Sequence, residues 1–510
     1  MRSSRFLPAL LALLSVLPAR SQDRAPTSDE AAFAETADAF VAETLDLFGT
    51  VPGLAVAVVR DGRTVYARGF GWADREAGTQ ATADTPFYIA SATKPFTALL
   101  AALLDHEGTL PLSTSLADLF PGVAFAPEVA ADSVTVRHLL SHTAGIVNEP
   151  LPFRAAYTGQ HTPDVMRRLL SGTAASVDAP RGSYGYTNLG YNVLSLWLDE
   201  SGPWQRQLGE RLFGPLGMTR TTAIASEAAA WRPAVPYAVD PEGGVARIAL
   251  VKHDDTMQAA GGVYASARDL ARWLAVHLGG GVLDGRQVLP ADVVAGVHRP
   301  VVEGRGESFG PLGRDGYALG WHTGAYGGDP MLHHLGGFSG FHAHTSFMPG
   351  RDLGVGLLAN EAETAGRIAT LLAGFVYDWW AAAPGERGAV VERTRAARAE
   401  LHAQLAGYLD YARSQRSDGE TEAGQLSLAP EAYVGTYENA DWGTVDVEAD
   451  VAGLAVRFGR LYASAQPHGA PDAIGVDLVP GQHAVVAFDV QGERVVALRY
   501  DGQTFVRTGP

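Results

Sequence analysis

The chain has 510 residues, a formal charge of −17, 46% hydrophobic and 19% charged residues, and no cysteine. This length predicts more than one folded unit, and the composition excludes a disordered chain. The acidic balance argues against a nucleic acid or an anionic membrane surface as partner, and the lack of cysteine removes disulfides, thiol catalysis and thiolate metal sites.

The amino terminus carries a basic stretch, MRSSR, an apolar stretch, FLPALLALLSVLPA, and a small-x-small site at Ala19-Arg20-Ser21. That order predicts a cleavable signal peptide over 1–21 and a periplasmic or secreted protein. No later run reaches the roughly 18 apolar residues of a membrane span. Helical spacing of Phe33, Phe40, Val41, Leu45 and Phe48 predicts a helix over 30–48. Residues 54–71 predict a hairpin about Asp61-Gly62, and Ser91 opens a helical pattern that Gly108 closes.

From 130 to 380 helices and strands alternate irregularly, with a second hairpin over 341–360 and a helix through Ala383. The expectation for 22–383 is an α+β unit, an antiparallel sheet flanked by helices with a helical subdomain. Residues 384–425 turn charged, helical and then polar, as a linker does. Over 426–510 a period-two pattern (Val445, Val447; Val456, Phe458; Val486, Phe488; Val496, Leu498) predicts a small all-β barrel or sandwich.

Lys94 and Lys252 are the two lysines among 39 basic residues. Lys94 stands three residues after Ser91, on the same face of a helix start. Arginine would supply charge there, but it does not lose its proton in a protein, whereas a buried lysine does. A neutral amine beside a serine hydroxyl is a general base, and the helix start favours developing negative charge. An S-x-x-K spacing alone is weak, because a first-turn lysine is commonly a solvated surface group.

Two further segments supply partners. PRGSYGYTNLGYN places Tyr186 and Asn188 two apart in a Gly-rich loop, a phenol to relay protons and an amide to orient a base or carbonyl. HHLGGF places His334, Gly336 and Gly337 beside an apolar strand, where glycines admit a substrate backbone and a free N–H serves as oxyanion donor.

Ser91-Ala92-Thr93-Lys94, Tyr186-Thr187-Asn188 and His334-Leu335-Gly336 match, in order, the three motifs of the serine β-lactamase and penicillin-recognising DD-peptidase superfamily. The chain resembles its class C-like branch, which holds esterases and D-aminopeptidases. Residues 135–146, 212–221, 259–273, 317–321 and 354–360 fit as well, and 426–510 resembles the lipocalin-like β-domain found behind such catalytic domains. The resemblance implies an acyl-enzyme on Ser91, with Lys94 and Tyr186 sharing acid and base work; which of them takes the serine proton stays open. It implies that Asn188 orients Lys94 and the substrate amide, that His334, Gly336 and Gly337 line the substrate strand, and that the Ser91 and Gly337 N–H groups hold the oxyanion.

It also implies an exported serine hydrolase cleaving small esters or amides, of carboxylesterase or D-amino-acid peptidase type, with a small-molecule or peptide substrate and no cofactor. A homo-oligomer is one expectation. The alternatives are a β-lactamase or DD-carboxypeptidase, or a non-catalytic penicillin- or peptide-binding sensor. His334 stands where true β-lactamases usually carry lysine, which puts efficient β-lactam hydrolysis in doubt, and Arg181 replaces a common glycine.

Other patterns carry less. Gly306-Glu307-Ser308-Phe309-Gly310 fits a nucleophile elbow but lacks the strand before and helix after that such an elbow needs. His138 and His142 are four apart on a helical pattern, yet Leu139 stands where a zinc enzyme needs glutamate, so packing or hydrogen bonding is expected. His333, His342 and His344 cluster near the third motif and stay ambiguous: alternation would place His334, Phe338 and His342 on one strand face, but the glycines between them blur that count. Lys252 reads as a surface lysine, with a place in substrate binding as the alternative.

Overall fold

In the computed structural model, residues 25–200, 202–239, 244–417, 426–451 and 453–509 are described. The signal-peptide expectation falls on residues outside that set. Helix α1 (Ser28–Phe48) starts at a capping box in which Thr27 and Glu30 satisfy each other's backbone N–H groups, and it ends at left-handed Gly49.

An eight-stranded antiparallel sheet is built from β1 (Gly53–Arg60), β2 (Arg63–Asp74), β3 (Thr79–Gln80), β4 (Gly316–Tyr317), β5 (His322–Tyr326), β6 (Asp329–Phe338), β7 (Phe341–Met348) and β8 (Leu353–Ala359). Its order from one edge is β4-β5-β6-β7-β8-β1-β2-β3. The first and last strands of this sheet in chain order, β1 and β8, therefore pair with each other near its middle.

Strand β1 shows how the layers divide. Its side chains alternate between the two faces, so a strand buried on both sides reads as an unbroken apolar run. Leu54, Val56 and Val58 join a core with α1 and with α5 (Ala365–Ala381). Ala55, Ala57 and Val59 join the larger core on the other face, with α2 (Lys94–His106), α3 (Leu189–Leu198) and α4 (Ala267–Leu278). Helix α6 (Arg387–Ser417), in the stretch read as a linker, lies against α1 through Arg387–Asp29 at 2.9 Å and Arg398–Glu43 at 3.2 Å.

Beyond it, nine antiparallel strands between Gly435 and Arg507 form a second sheet that curls until Leu461–Ser464 meets Ala473–Val479, a nearly closed barrel. Val445, Val447, Val456, Phe458, Val486, Phe488 and Leu498 fill it as the period-two pattern expects, whereas Val496 is only half-buried and Val495 faces the core, because the β-sheet register shifts beside Val490. The barrel rests on the main body, with Trp442 and Phe458 each 5.3 Å from the Phe153 ring and Arg460 paired to Asp255 at 2.6 Å.

One sequence expectation fails here. His342 does not follow His334 and Phe338 along one strand, because Ser339-Gly340 turns the chain and His342 pairs opposite Gly337 on β7. Gly340 takes φ +77, a conformation open to glycine, and its α-carbon lies too near Pro236 for a side chain.

Candidate active site

Ser91 lies in a single 3-10 turn, Ala90–Thr93, that runs directly into α2, and Pro95 in the first turn of α2 is preset for a helix start. Ala90 carries φ +45, a left-handed conformation that costs an alanine about 1–2 kcal/mol. The surroundings hold it there. Ile89 N–H donates to the Val263 carbonyl at 2.9 Å, Val263 N–H to Thr93 Oγ1 at 3.1 Å, and Thr97 Oγ1 to the Ala259 carbonyl at 2.8 Å. Segment 259–263 is thus the clamp of the serine turn.

Strand β6 closes the other side. Its pairing with β5 begins at Asp329 and stops at His333, and beyond that the strand runs past the Ser91 turn. A Cβ on Gly336 would stand 1.9 Å from the Ile89 carbonyl oxygen, so only glycine lets the two segments approach. A Cβ on Gly337 would meet nothing within 4 Å, which leaves the strand open to a ligand backbone there.

Lys94 is 0% exposed. Its Nζ lies 3.1 Å from Ser91 Oγ, 2.8 Å from Asn188 Oδ1 and 2.9 Å from the Ala260 carbonyl oxygen. Burial pushes its pKa well below the usual lysine range. A neutral amine has two N–H donors and one lone pair. When Lys94 gives up its proton, Asn188 and Ala260 accept the two donors that remain, and the lone pair is left facing Ser91 Oγ–H.

The Tyr186 phenol acts on the same hydroxyl, and Lys94 Nζ sits 4.8 Å from its ring centre. Burial around the phenol pushes its pKa upward, and the Ser91 contact pulls part of the way back. The Tyr186 residue is nevertheless 44% exposed, so water screens that upward push, while Lys94 has no such relief. The amine is the firmer assignment of a shifted group.

His142 is the residue whose place the sequence did not show. It is not on the helix of His138, which ends at Leu140, but in a turn with φ +58. Its Nδ1 accepts the Thr187 N–H at 3.2 Å, its Nε2 lies 3.2 Å from Tyr317 Oη, and its ring is 4.4 Å from that of Tyr186. Its carbonyl also accepts the Gly185 N–H at 2.8 Å. His142 thus buttresses the tyrosine loop. His138 Nδ1 accepts the Thr135 N–H at 3.1 Å and caps its own helix, and no three metal-ligating groups converge among the described residues.

His334 is buried, and its Nδ1–H donates to the Leu335 carbonyl at 2.7 Å. Its Nε2 is left as an acceptor with no partner among the described residues. Burial, with the Lys94 charge second, holds it well below the usual histidine range. His333 bonds the Gly313 carbonyl at 3.0 Å, while His344 bonds Ser346 at 2.7 Å, on toward Tyr377. Ser308 lies on a two-stranded hairpin with no helix after it, and Arg181 is exposed.

Lys252 overturns its expectation. It is 7% exposed, bonded to the Ala156 carbonyl and set 3.9 Å from the Phe338 ring centre, with Tyr88 and Tyr157 each at 5.5 Å. Burial lowers its pKa to about 7. The aromatic walls come from segments far apart in sequence, which is why the local pattern read as surface.

The Beta-lactamase family model matches residues 38–378. The chain belongs to that family. It is 31% identical over 319 residues to penicillin-binding protein 4 of Amycolatopsis lactamdurans, covering 61% of this chain and 81% of that one. An unguisins hydrolase of Aspergillus violaceofuscus is 28% identical over 468 residues, covering 86% and 80% respectively. The octameric penicillin-binding protein homologue of Pyrococcus abyssi shares the fold at TM-score 0.58 and 21% identity, over 93% of this chain and 99% of that one. A β-lactamase-fold serine hydrolase, this protein has among its described residues no helix long and apolar enough to cross a membrane.

Proposed function

We propose that this protein is an exported hydrolase that cleaves small esters or amides, D-amino-acid amides included, through an acyl-enzyme on Ser91. The observation that carries the reading is the buried Lys94 amine, held 3.1 Å from the serine hydroxyl with Asn188 and the Ala260 carbonyl as its other partners, its pKa pushed well down by burial. Nζ takes the Oγ proton as Oγ adds to the carbonyl carbon, and the Ser91 and Gly337 N–H groups face the oxyanion. The tetrahedral intermediate collapses as the Tyr186 hydroxyl protonates the departing oxygen or nitrogen. Lys94 returns its proton to the phenolate, and water then repeats the sequence on the acyl group.

Relatives support the breadth of this reading. One is an unguisins hydrolase, and the fold recurs in a D-amino acid amidase of Ochrobactrum anthropi at TM-score 0.52 and 22% identity. The penicillin-binding name of the Amycolatopsis relative supports a second reading, covalent capture of a β-lactam. A sensor that only binds needs no base, and the built Lys94 site speaks against it.

The test is to treat the mature protein with a fluorophosphonate, with a fluorescent penicillin and with aryl esters. The expected result is one adduct on Ser91 with ester turnover, both lost in Ser91→Ala. Absence of adduct and turnover in the unaltered protein would sink the proposal, and slow penicillin labelling without ester turnover would favour the second reading. Export is tested by the mass of protein recovered outside the cytoplasm, expected to begin at Gln22.

A further inference from the structure

Gly337 offers its N–H to the oxyanion, yet it has no side chain to fix where that N–H points, so its neighbours must hold it. On one side Gly336 is pressed against the Ile89 carbonyl, where a Cβ would stand 1.9 Å from oxygen. On the other side stands Phe338, the last residue of β6, and its ring is a wall of the Lys252 cage. Lys252 Nζ lies 3.9 Å from the centre of that ring, and the Tyr88 and Tyr157 rings meet Phe338 at 5.4 and 5.6 Å. A buried amine that the acyl-enzyme chemistry does not use thus reaches the residue next to one that it does.

The cage is tied down at each wall. Tyr88 stands three residues before Ser91, and its ring meets that of Tyr264 at 5.3 Å. Ala156, whose carbonyl takes a Lys252 N–H, and Tyr157 belong to a segment packed on the barrel, where the Phe153 ring meets Trp442 and Phe458. The Lys252 segment is anchored to the barrel as well, through Leu250 against its core and Asp255 paired with Arg460. Nζ therefore has a fixed seat from which to hold the Phe338 ring.

Among the described residues no carboxylate pairs with this amine. The Tyr88 and Tyr157 phenols are kept protonated by burial, and His253 caps the turn 254–256. Asp254 is bonded to Ser226, and Arg154 is turned to the Gln160 and Ala440 carbonyls. On β6 itself His333 and His334 are held neutral by burial. Burial is accordingly what brings the Lys252 pKa to about 7, and the amine passes from cation to neutral across ordinary pH. An ammonium is drawn to the electron-rich face of a ring, the more so away from water, and the attraction ends when the proton leaves.

We propose that Lys252 is a positioning residue for the oxyanion donor: its ammonium, seated on Phe338, fixes the end of β6 and with it the direction of the Gly337 N–H. The inference rests on the acyl-enzyme reading and adds to it a proton-dependent hold on the oxyanion site. Lys252 meets the three rings and the Ala156 carbonyl, and it acts through Phe338. An oxyanion donor works in the transition state, so the effect belongs in kcat and leaves KM alone.

The experiment measures kcat and KM for phenyl butyrate, an uncharged ester, from about pH 6 to about pH 9 in the unaltered protein and in Lys252→Met. The ratio of the two kcat values cancels the titration of Lys94, which both proteins share. The expected ratio is about five at pH 6 and falls to about one by pH 9, with KM alike in the two. Phe338→Leu removes the ring and leaves the lysine, so it should lose the same low-pH advantage; it gives an independent reading should Lys252→Met fold poorly. A ratio constant across the range overturns the proposal, whether near one or well above it. So does a difference confined to KM, or a low-pH advantage that survives in Phe338→Leu. Failure of the acyl-enzyme reading shows differently, as no turnover and no adduct on Ser91 at any pH.

Discussion

The two lysines occupy opposite kinds of burial. Lys94 meets three oxygens, Ser91 Oγ, Asn188 Oδ1 and the Ala260 carbonyl, besides the rings of Tyr186 and Tyr191. Lys252 is enclosed by three aromatic rings and meets one carbonyl, that of Ala156. Burial lowers both pKa values, and in neither case is a carboxylate among the causes. A weakened hold on the proton is therefore common to both, and the hydroxyl beside Nζ is what separates a base from a buried amine. Perturbed ionisation marks a candidate; geometry assigns the role.

That contrast breaks most sharply at the base itself. Lys94→Arg puts a group that keeps its proton beside Ser91, and kcat/KM for an aryl ester should fall about a thousandfold. Lys252→Met, which keeps an apolar stem in the aromatic cage, should leave kcat/KM within about tenfold of the original. Equal losses at the two sites would erase the distinction.

Asn188→Ala removes one of the two acceptors that aim the Lys94 lone pair. A fall in kcat of about 10–100-fold, with the acid limb of the pH profile shifted, is the expected outcome. His142→Phe keeps a ring beside Tyr186 but leaves the Thr187 N–H without its acceptor. It should lower kcat about tenfold while Ser91 still labels, read by stopped-time labelling against steady turnover.

The last effect is one of stability. A lysine whose folded pKa is about 7 and whose unfolded pKa is near 10.4 is neutral in the native state and charged in the unfolded state between those values. The unfolded state binds more protons there, so stability rises with pH from about 7 to about 10, by up to about 1.4 kcal/mol per unit. Urea midpoints of the unaltered protein minus those of Lys252→Met should follow that slope and flatten below pH 7. A pH-independent difference would place Lys252 outside this account.

Much of the fold is local in origin and was legible. The Asp61-Gly62 turn, the apolar run of β1 and the period-two barrel strands carry their own signals, since side-chain alternation and turn chemistry act over a few residues. The site was legible where spacing does the work: Ser91 and Lys94 meet because a helical turn brings i and i+3 together. His142 was misread because its left-handed turn ends the helical count, and the Ala260 carbonyl gave no signal because any residue supplies one.

The sequence by itself determined the family, the three motifs in order, the scarcity of lysine and the two kinds of periodicity, all properties of residue type and near spacing. Only the tertiary structure decided which atoms touch. It brought segment 259–263 beneath the serine turn, set β6 against Ile89 where a Cβ would stand 1.9 Å from oxygen, and closed aromatic rings over Lys252. Desolvation and hydrogen-bond direction depend on neighbours far along the chain, and those two quantities separate a catalytic lysine from a buried one.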